Sequence, residues 1–318
     1  MFLKSRKLLL FLIVNTIMKI FLTSICLILL SAAIKAQQIV VNSLYQNNIS
    51  YYNPAYTASQ YKLRGGLQYR RQWDNWPGAP VNYMGQYEHN LDSINSGIGI
   101  TVMREENGFS TFQTALIHYR YELKLSHLNR LSVGLTGGAM NHTFEPFWIV
   151  TDPNDPSLPA EGNQTKFVMN AGAMLKLNRF RLGLSVLQLN RSRFDQLNYK
   201  SQLHTVFTAD YTWMITRKFN VEPSVFFITD AHFMTLTGLL RANYNNKFWA
   251  LTGYRSGEAI IFGLGAIIKE KFSVGYNLDI WRSRLLNSAT TYSHGIYLNY
   301  QIQRRALNPY KISGTPDF

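Results

Sequence analysis

Thiols are almost absent: Cys26 is the only cysteine among 318 residues, and it lies within the first 36. Beyond that point the chain can build neither a disulfide nor a thiolate metal site, a pattern compatible with export. Charge is also scarce, at 16% of residues against about 25% in an average soluble domain. Acids are the rarer sign, 18 against 32 Lys and Arg, for a formal net charge of +14. Lys4, Arg6, Lys7, Lys19 and Lys35 fall in residues 1–36 with no acid among them, leaving 27 basic against 18 acidic residues and +9 in the remainder. Those charges are spread along the chain, without the dense run or motif of a nucleic-acid-binding protein, so no nucleic-acid partner is expected. The sequence also lacks a P-loop, a dinucleotide-binding glycine fingerprint, a paired-histidine zinc motif and a nucleophile elbow. Its seven histidines, His89, His118, His127, His142, His204, His232 and His294, show no metal-ligand spacing. Catalysis would need a base and a nucleophile gathered at one rim, such as His142 or His232 with Asp230, and no constellation in the sequence assembles them. The expectation is a protein that is not an enzyme and carries no catalytic, cofactor-binding or metal residues.

What the chain does have is apolar and aromatic: 46% hydrophobic residues, with 19 Tyr, 19 Phe and 6 Trp. Few charges with many aromatics suit a surface against lipid and its interface. The arrangement is clearest from Lys166 to Asn190, where Phe167, Met169, Ala171, Ala173, Leu175 and Leu177 take alternate positions, with Asn170, Gly172 and Lys176 between them. Past the Asn178-Arg179 turn, Phe180, Leu182, Leu184 and Val186 alternate with Arg181, Gly183 and Ser185. A period of two marks a strand with one apolar and one mixed face. Runs of about 10–12 residues are long for a soluble sheet and fit a tilted bilayer span.

Such hairpins recur, with strands expected at about 61–73, 81–90, 95–105, 111–123, 129–142, 166–177, 180–190, 201–213, 217–228, 233–244, 247–255, 258–268, 271–281 and 291–303. Gaps after the even strands are short. Those after odd strands tend to be longer, notably 143–165, 191–200 and 282–290, although the ones at Gly108, Ala231 and Ser256 are short. Short periplasmic turns and longer outer loops are the asymmetry of outer-membrane barrels, and that asymmetry puts both mature termini in the periplasm. Because an unpaired backbone group in hydrocarbon costs several kcal/mol, the sheet must close and its apolar set must face outward. Leu131, Val133 and Leu135 beside Ser132, Gly134 and Thr136 fit that rule, as do Phe272, Val274 and Tyr276 beside Ser273, Gly275 and Asn277. Trp73, Trp213, Phe219, Phe248 and Trp281, near strand ends, are expected to form interfacial girdles. The fold class is therefore an all-β transmembrane antiparallel barrel of about fourteen strands. A soluble sandwich is the competing arrangement, and it gives no reason for loops to sort by parity.

Residues 1–36 read as a cleaved signal peptide, best formed from Met18: Lys19, then Ile20 to Leu30, then Ser31-Ala32-Ala33 and Ala36. A retained transmembrane helix is the alternative, interrupted by Asn15 and Lys19. Residues 37–60 form a polar and aromatic periplasmic segment, 61–303 the outer-membrane barrel, and 304–318 a periplasmic tail with Arg304, Arg305 and Lys311. In the longest loop Asp152, Asp155 and Glu161 cluster oxygens as a calcium site would, but without EF-hand spacing, and a solvated loop is the simpler reading. Arg64, Arg70, Arg71 and Arg120 either line the lumen and favour anions or pair with Glu88 and Glu122.

Asn53-Pro54-Ala55-Tyr56-Thr57-Ala58 resembles an NPAYAG segment, and Arg71-Gln72-Trp73 followed by Gly78-Ala79-Pro80 resembles an RxQW…GAP signature. Gly253-Tyr254-Arg255 and Tyr292-Ser293-His294 follow in the same order. Together they resemble the PorP/SprF family, outer-membrane proteins of type IX secretion and gliding in Bacteroidota. Ala58 stands where that family usually has Gly, and Gly295 where it usually has Glu. The resemblance implies a barrel that helps cargo proteins with C-terminal sorting domains reach or stay on the cell surface. It also implies type IX secretion components and periplasmic peptidoglycan-associated proteins as partners, in addition to outer-membrane lipid. A general porin or small-solute channel is the alternative, favoured by any barrel but by no particular residue.

Overall fold

Alternation of apolar and polar side chains extends the backbone into fourteen antiparallel strands that close edge to edge into a ring in the computed structural model. The structure describes residues 39, 41–74, 76–147, 161–197, 199–230, 232–257, 259–281 and 291–304. The expected signal peptide, the acidic loop apart from Glu161, and the tail after Arg304 lie outside these residues. In chain order the strands are β1 (Tyr61–Arg71), β2 (Val81–Leu91), β3 (Ser96–Asn107), β4 (Ser110–Lys124), β5 (Asn129–Phe144), β6 (Gly162–Leu177) and β7 (Phe180–Leu187). They continue as β8 (His204–Tyr211, resumed at Trp213–Met214), β9 (Phe219–Thr229), β10 (Met234–Tyr244), β11 (Phe248–Arg255), β12 (Ala259–Ile268), β13 (Phe272–Trp281) and β14 (Thr291–Gln303). Each pairs with the next, and β1 closes on β14 with Gln68 opposite Tyr297 and Arg64 opposite Gln301. No strand edge is then left for hydrocarbon to meet.

The turns have the backbone that short hairpins require. Asn245 and Asn246, and again Lys269 and Glu270, adopt positive φ at consecutive positions, the pairing that matches the right-handed twist of the flanking strands. At the opposite rim β5 and β6 stay paired from Asn129↔Leu177 up to Phe144↔Gly162, so both strands run further than their sequence pattern indicates. Shorter β7 leaves the upper edge of β6 uncovered, and the β7–β8 connection satisfies it. Leu189 N donates to Met169 O at 2.9 Å, while the Asn190 amide and the Ser192 hydroxyl donate to Phe167 O. This connection, expected as a plain loop, also holds a ribbon of Arg193–Phe194 with Tyr199–Lys200.

Outward positions carry the lipid-facing set: Leu67, Ile117, Leu135, Phe167, Leu264 and Leu298 are all exposed. Trp213, Tyr244 and Phe248 ring the rim of the short turns on that face, as an interfacial girdle does. Trp73 and Trp281 are a correction to the expected girdle. They meet edge to face at 5.3 Å, and the buried Trp281 indole donates to Ser293 Oγ at 2.5 Å, so the pair closes the inner wall instead.

Candidate functional site

The lumen is occupied by the chain itself. Val41 to Ser59 pass down the inside of the ring in three short turns, Tyr45–Asn47, Ile49–Tyr52 and Pro54–Tyr56. Leu44, Tyr52, Ala55, Tyr56 and Ala58 are at most 3% exposed. All of these but Ala58 pack with Met174, Leu187, Phe226, Trp249 and Tyr297 from the inner wall into one apolar core. The periplasmic placement expected for 37–60 is thus corrected over its described part. The reason is physical: its aromatic residues bury against inner-wall apolar residues that the period-two pattern leaves facing an otherwise empty lumen.

Val41 lies beside His204, Ile228 and Phe233, at the rim of the longer loops. The chain then leaves by the short-turn rim to begin β1, and Arg304 also lies at that rim, bonded to Asp92. The ends of the described chain sit at opposite rims, while the mature termini themselves, expected together on one side, lie outside the described residues.

Asn53-Pro54-Ala55-Tyr56 is the tightest part of this plug. Asn53 caps the turn by accepting from Ala55 N at 3.0 Å, and its amide reaches the wall, donating to Ala173 O at 3.0 Å and Leu184 O at 3.3 Å. Tyr56 shares a hydrogen bond with Thr208 at 3.1 Å. The wall makes room through glycines: a Cβ on Gly134 would collide with the Pro54–Ala55 peptide, and one on Gly183 would lie 2.7 Å from the Tyr56 ring. Glycine is needed here because backbone or ring comes into direct contact with the strand. At Ala58 the chain bends with φ of 49°, the left-handed region that glycine takes freely.

Two buried carboxylates anchor the plug. Asp279 accepts from Ser43 Oγ at 2.5 Å and from Arg70 at 3.1 Å, with Arg255 at 3.7 Å and also donating to Ser43 at 2.7 Å. Glu88 accepts from Ser50 Oγ, from Ala58 N at 3.1 Å and from Arg64 at 3.3 Å. A buried carboxylate surrounded by donors of this kind is satisfied in place, whereas a single missing partner would leave a buried charge uncompensated. Lower down, Glu122 gathers Arg120, Arg130 and Arg304. Burial would raise the Asp92 carboxyl, but the charge and hydrogen bond of the adjacent Arg304 guanidinium, together with Asn90 and Lys124, outweigh it and hold that carboxyl below its ordinary range. Of the two readings open for the arginines, pairing holds for Arg64, Arg70 and Arg120, while Arg71 turns outward to Asp74 at 2.6 Å.

The motif residues thus fall into four places. Asn53 to Tyr56 sit in mid-lumen. Gln72, Trp73 and Ser293 meet at the long-loop mouth: Trp73 N donates to Ser293 Oγ at 3.1 Å, and Gln72 N to Pro80 O at 2.8 Å. Gly78 O there accepts from Gly108 N at 3.0 Å, tying two loops together, and Ala79 N closes the same turn by donating to Trp76 O. Arg255 joins the Asp279 cluster. Tyr254 and His294 face outward, the latter bonded to Tyr276 at 2.6 Å, and neither is part of the lumen. Missing from the sequence reading were Ser43, Ser50, Glu88 and Asp279 as plug anchors. The signal available was the inner-face glycines Gly97, Gly134, Gly172 and Gly183, more than a solvated lumen requires.

Above the plug lies a vestibule of about 720 Å³ with Trp73, Phe112, Tyr199 and Trp281 on its walls and Glu105 among them. Below it, at the short-turn rim, is a second of about 330 Å³ that includes Lys176, Arg181, Glu222 and Arg241. Among the described residues no group of His, Cys, Asp and Glu is placed to hold a metal ion. His142 stacks on Phe112 at 4.1 Å, and His232 meets Asp230 only through its backbone N–H.

The family described as "Type IX secretion system membrane protein PorP/SprF" matches residues 34–300. The chain belongs to the PorP/SprF family. No curated protein matches. Among solved structures, this PorP/SprF chain is similar to the CymD monoaromatic hydrocarbon channel at 9% identity, covering 85% of this chain and 95% of that one with a TM-score of 0.51. It is similar also to the outer membrane protein Omp33 of Acinetobacter baumannii, at 10% identity, 76% and 99% coverage and a TM-score of 0.48. A third is the toluene transporter TbuX of Ralstonia pickettii, at 9% identity, 80% and 92% coverage and a TM-score of 0.47. At 9% identity the likeness to CymD is one of fold alone: an outer-membrane-type β-barrel.

Proposed function

We propose that this PorP/SprF barrel is a non-enzymatic component working beside the type IX secretion machinery, supporting export or surface attachment of cargo proteins with C-terminal sorting domains. The observation that carries the reading over the porin alternative is the filled lumen. Diffusion of solutes needs a continuous aqueous path, and here the two vestibules are separated by a plug packed on Phe226, Trp249 and Tyr297. A barrel closed to solutes still offers three working surfaces: the outer wall to lipid, the long-loop vestibule to what arrives outside, and the short-turn rim to the periplasm. Aromatic walls in the upper vestibule suit capture of a protein segment, since aromatics bury large area at low entropic cost.

Cross-linking intact cells, extracting the tagged protein and identifying what comes with it tests the reading. Secretion components and proteins with sorting domains are expected. Recovery of neither, together with steady conductance of the purified protein in planar bilayers, would replace the proposal with the channel.

A further inference from the structure

The two rims treat their charges differently. At the long-loop rim Arg71 holds Asp74 at 2.6 Å, Arg104 holds Glu106 at 2.7 Å and Arg193 holds Asp195 at 2.9 Å. Lys166, Arg191 and Lys200 there are offset by Glu105, Glu145 and Glu161. At the short-turn rim Asp92 and Glu122 are engaged within the wall by Arg304 and Asp210 by Arg181 at 2.6 Å, which leaves Glu222 in the lower vestibule and Glu270 at a turn tip as acids without an ion pair among the described residues. The turn tips nevertheless carry Arg179, Arg217, Lys218, Lys247, Lys269 and Lys271. Among the described residues, none of these six has a carboxylate within salt-bridge distance. Just inside, Lys176 and Arg241 line the lower vestibule with the Glu222 carboxylate also on its wall, Arg241 lying over the Trp249 ring at 4.5 Å, and neither cation has an ion pair among the described residues.

Cations crowded onto neighbouring turns repel one another, and their summed field attracts an anionic partner and speeds its encounter. We infer that the short-turn rim is a docking surface for an acidic segment of a periplasmic protein, which the lower vestibule receives. A protein segment fits better than lipid headgroups for a geometric reason. On the outward face of this rim stand Trp213, Tyr244 and Phe248, whereas Lys176 and Arg241 point to the barrel axis, where a lipid in the surrounding leaflet does not reach. The inference rests on the proposed function in one respect, that the short turns face the periplasm.

The test uses the full-length protein in detergent micelles and, as probe, a fluorescein-labelled peptide of about 15 alternating Glu and Ser residues, followed by anisotropy at about 50 and 300 mM salt. Wild type is expected to bind it, and the quadruple variant R179E/K218E/K247E/K271E to bind at least about tenfold more weakly. The control R193E/K200E, at the opposite rim, is expected to change binding by less than about twofold. In cells, a photo-cross-linking residue at Lys247 should capture periplasmic protein through acidic segments, and the other three reversals should abolish the product. Equal peptide affinity in wild type and the quadruple variant overturns the inference. So does wild type floating with phosphatidylglycerol vesicles through these four cations while ignoring the peptide, which would make the rim a lipid-binding ring. If the quadruple variant still brings down surface cargo after losing the acidic partner, the docking surface and the cargo role are separated; if wild type brings down no secretion component, the proposed function fails on its own terms.

Discussion

On its outer face the wall presents Leu67, Ile117, Leu135 and Leu264 to the bilayer; on its inner face, one position along, it holds Arg70, His118, Arg120 and Asp279 almost inaccessible. The outer face asks only for apolar character, and lipid accommodates many shapes. The inner face asks for a particular partner at each position. His118 is fixed between Thr101 at 2.8 Å and Thr136 at 2.7 Å, and Glu88 and Asp279 between plug donors and wall arginines. The inner wall of this barrel is thus built like the core of a soluble protein, with the plug as its second layer, and substitutions there should be read by packing and charge compensation rather than by hydropathy.

Removing the second layer is the strongest way to break the comparison. Deleting Val41 to Ser59 exposes Phe226, Trp249 and Tyr297 to water and strips the plug donors from Glu88 and Asp279. Six large apolar side chains at about 1.5–3 kcal/mol each put the loss on the order of 10 kcal/mol, an upper value. The folded band on unheated gels should weaken, and any barrel that remains should conduct in planar bilayers. A deletion variant as heat-resistant and as closed as wild type would mean that the lumen does not need the plug. Next in size is Asp279→Ala. It takes the carboxylate from between Arg70 and Arg255, and a broken buried ion cluster costs about 3–5 kcal/mol. Urea unfolding in detergent should show it, and Asp279→Asn, which keeps the shape but not the charge, should recover only part of the loss.

The two faces were also unequally legible. Phe167 through Leu177 at period two located β6 and its apolar side, because every second residue meets the same solvent. Loop parity likewise indicated which ends of the strands belong together. The plug could not be read that way: Tyr45 to Tyr56 has no period, and its turns are too short to carry a helical stripe. Its residues are set by tertiary contacts, with Asn53 reaching Ala173 and Ser43 reaching Asp279 across more than a hundred positions of sequence. Trp73 and Trp281 misled for a related reason. A tryptophan at a strand end suits an interface, and only the Ser293 hydroxyl that receives the Trp281 indole shows that this pair turns inward. Family resemblance located Asn53 to Tyr56 as notable, but the reason for their identity lies in Gly134 and Gly183, strands away.

The outer face can be tested by a single charge. Leu135 sits mid-way along β5, 59% exposed and opposite Tyr119. Leu135→Arg should cost about 2–4 kcal/mol at mid-depth, while Leu135→Phe should be nearly neutral. Equal, small effects from both in vesicle-based unfolding would mean that the outward face meets water instead of lipid.

The smallest effect is expected to be a gain. Ala58 holds φ at 49° three residues before β1, its N–H donating to Glu88 at 3.1 Å and its methyl buried. An L-residue in this region carries a steric cost of about 1–2 kcal/mol that glycine avoids, and part of the gain is offset by the greater freedom of glycine in the unfolded chain. Ala58→Gly should therefore raise the unfolding midpoint by an amount equivalent to about 1 kcal/mol or less. A lowered midpoint would show that burial of the Ala58 methyl outweighs backbone strain, which would place the plug's exit under packing control like the rest of the inner face.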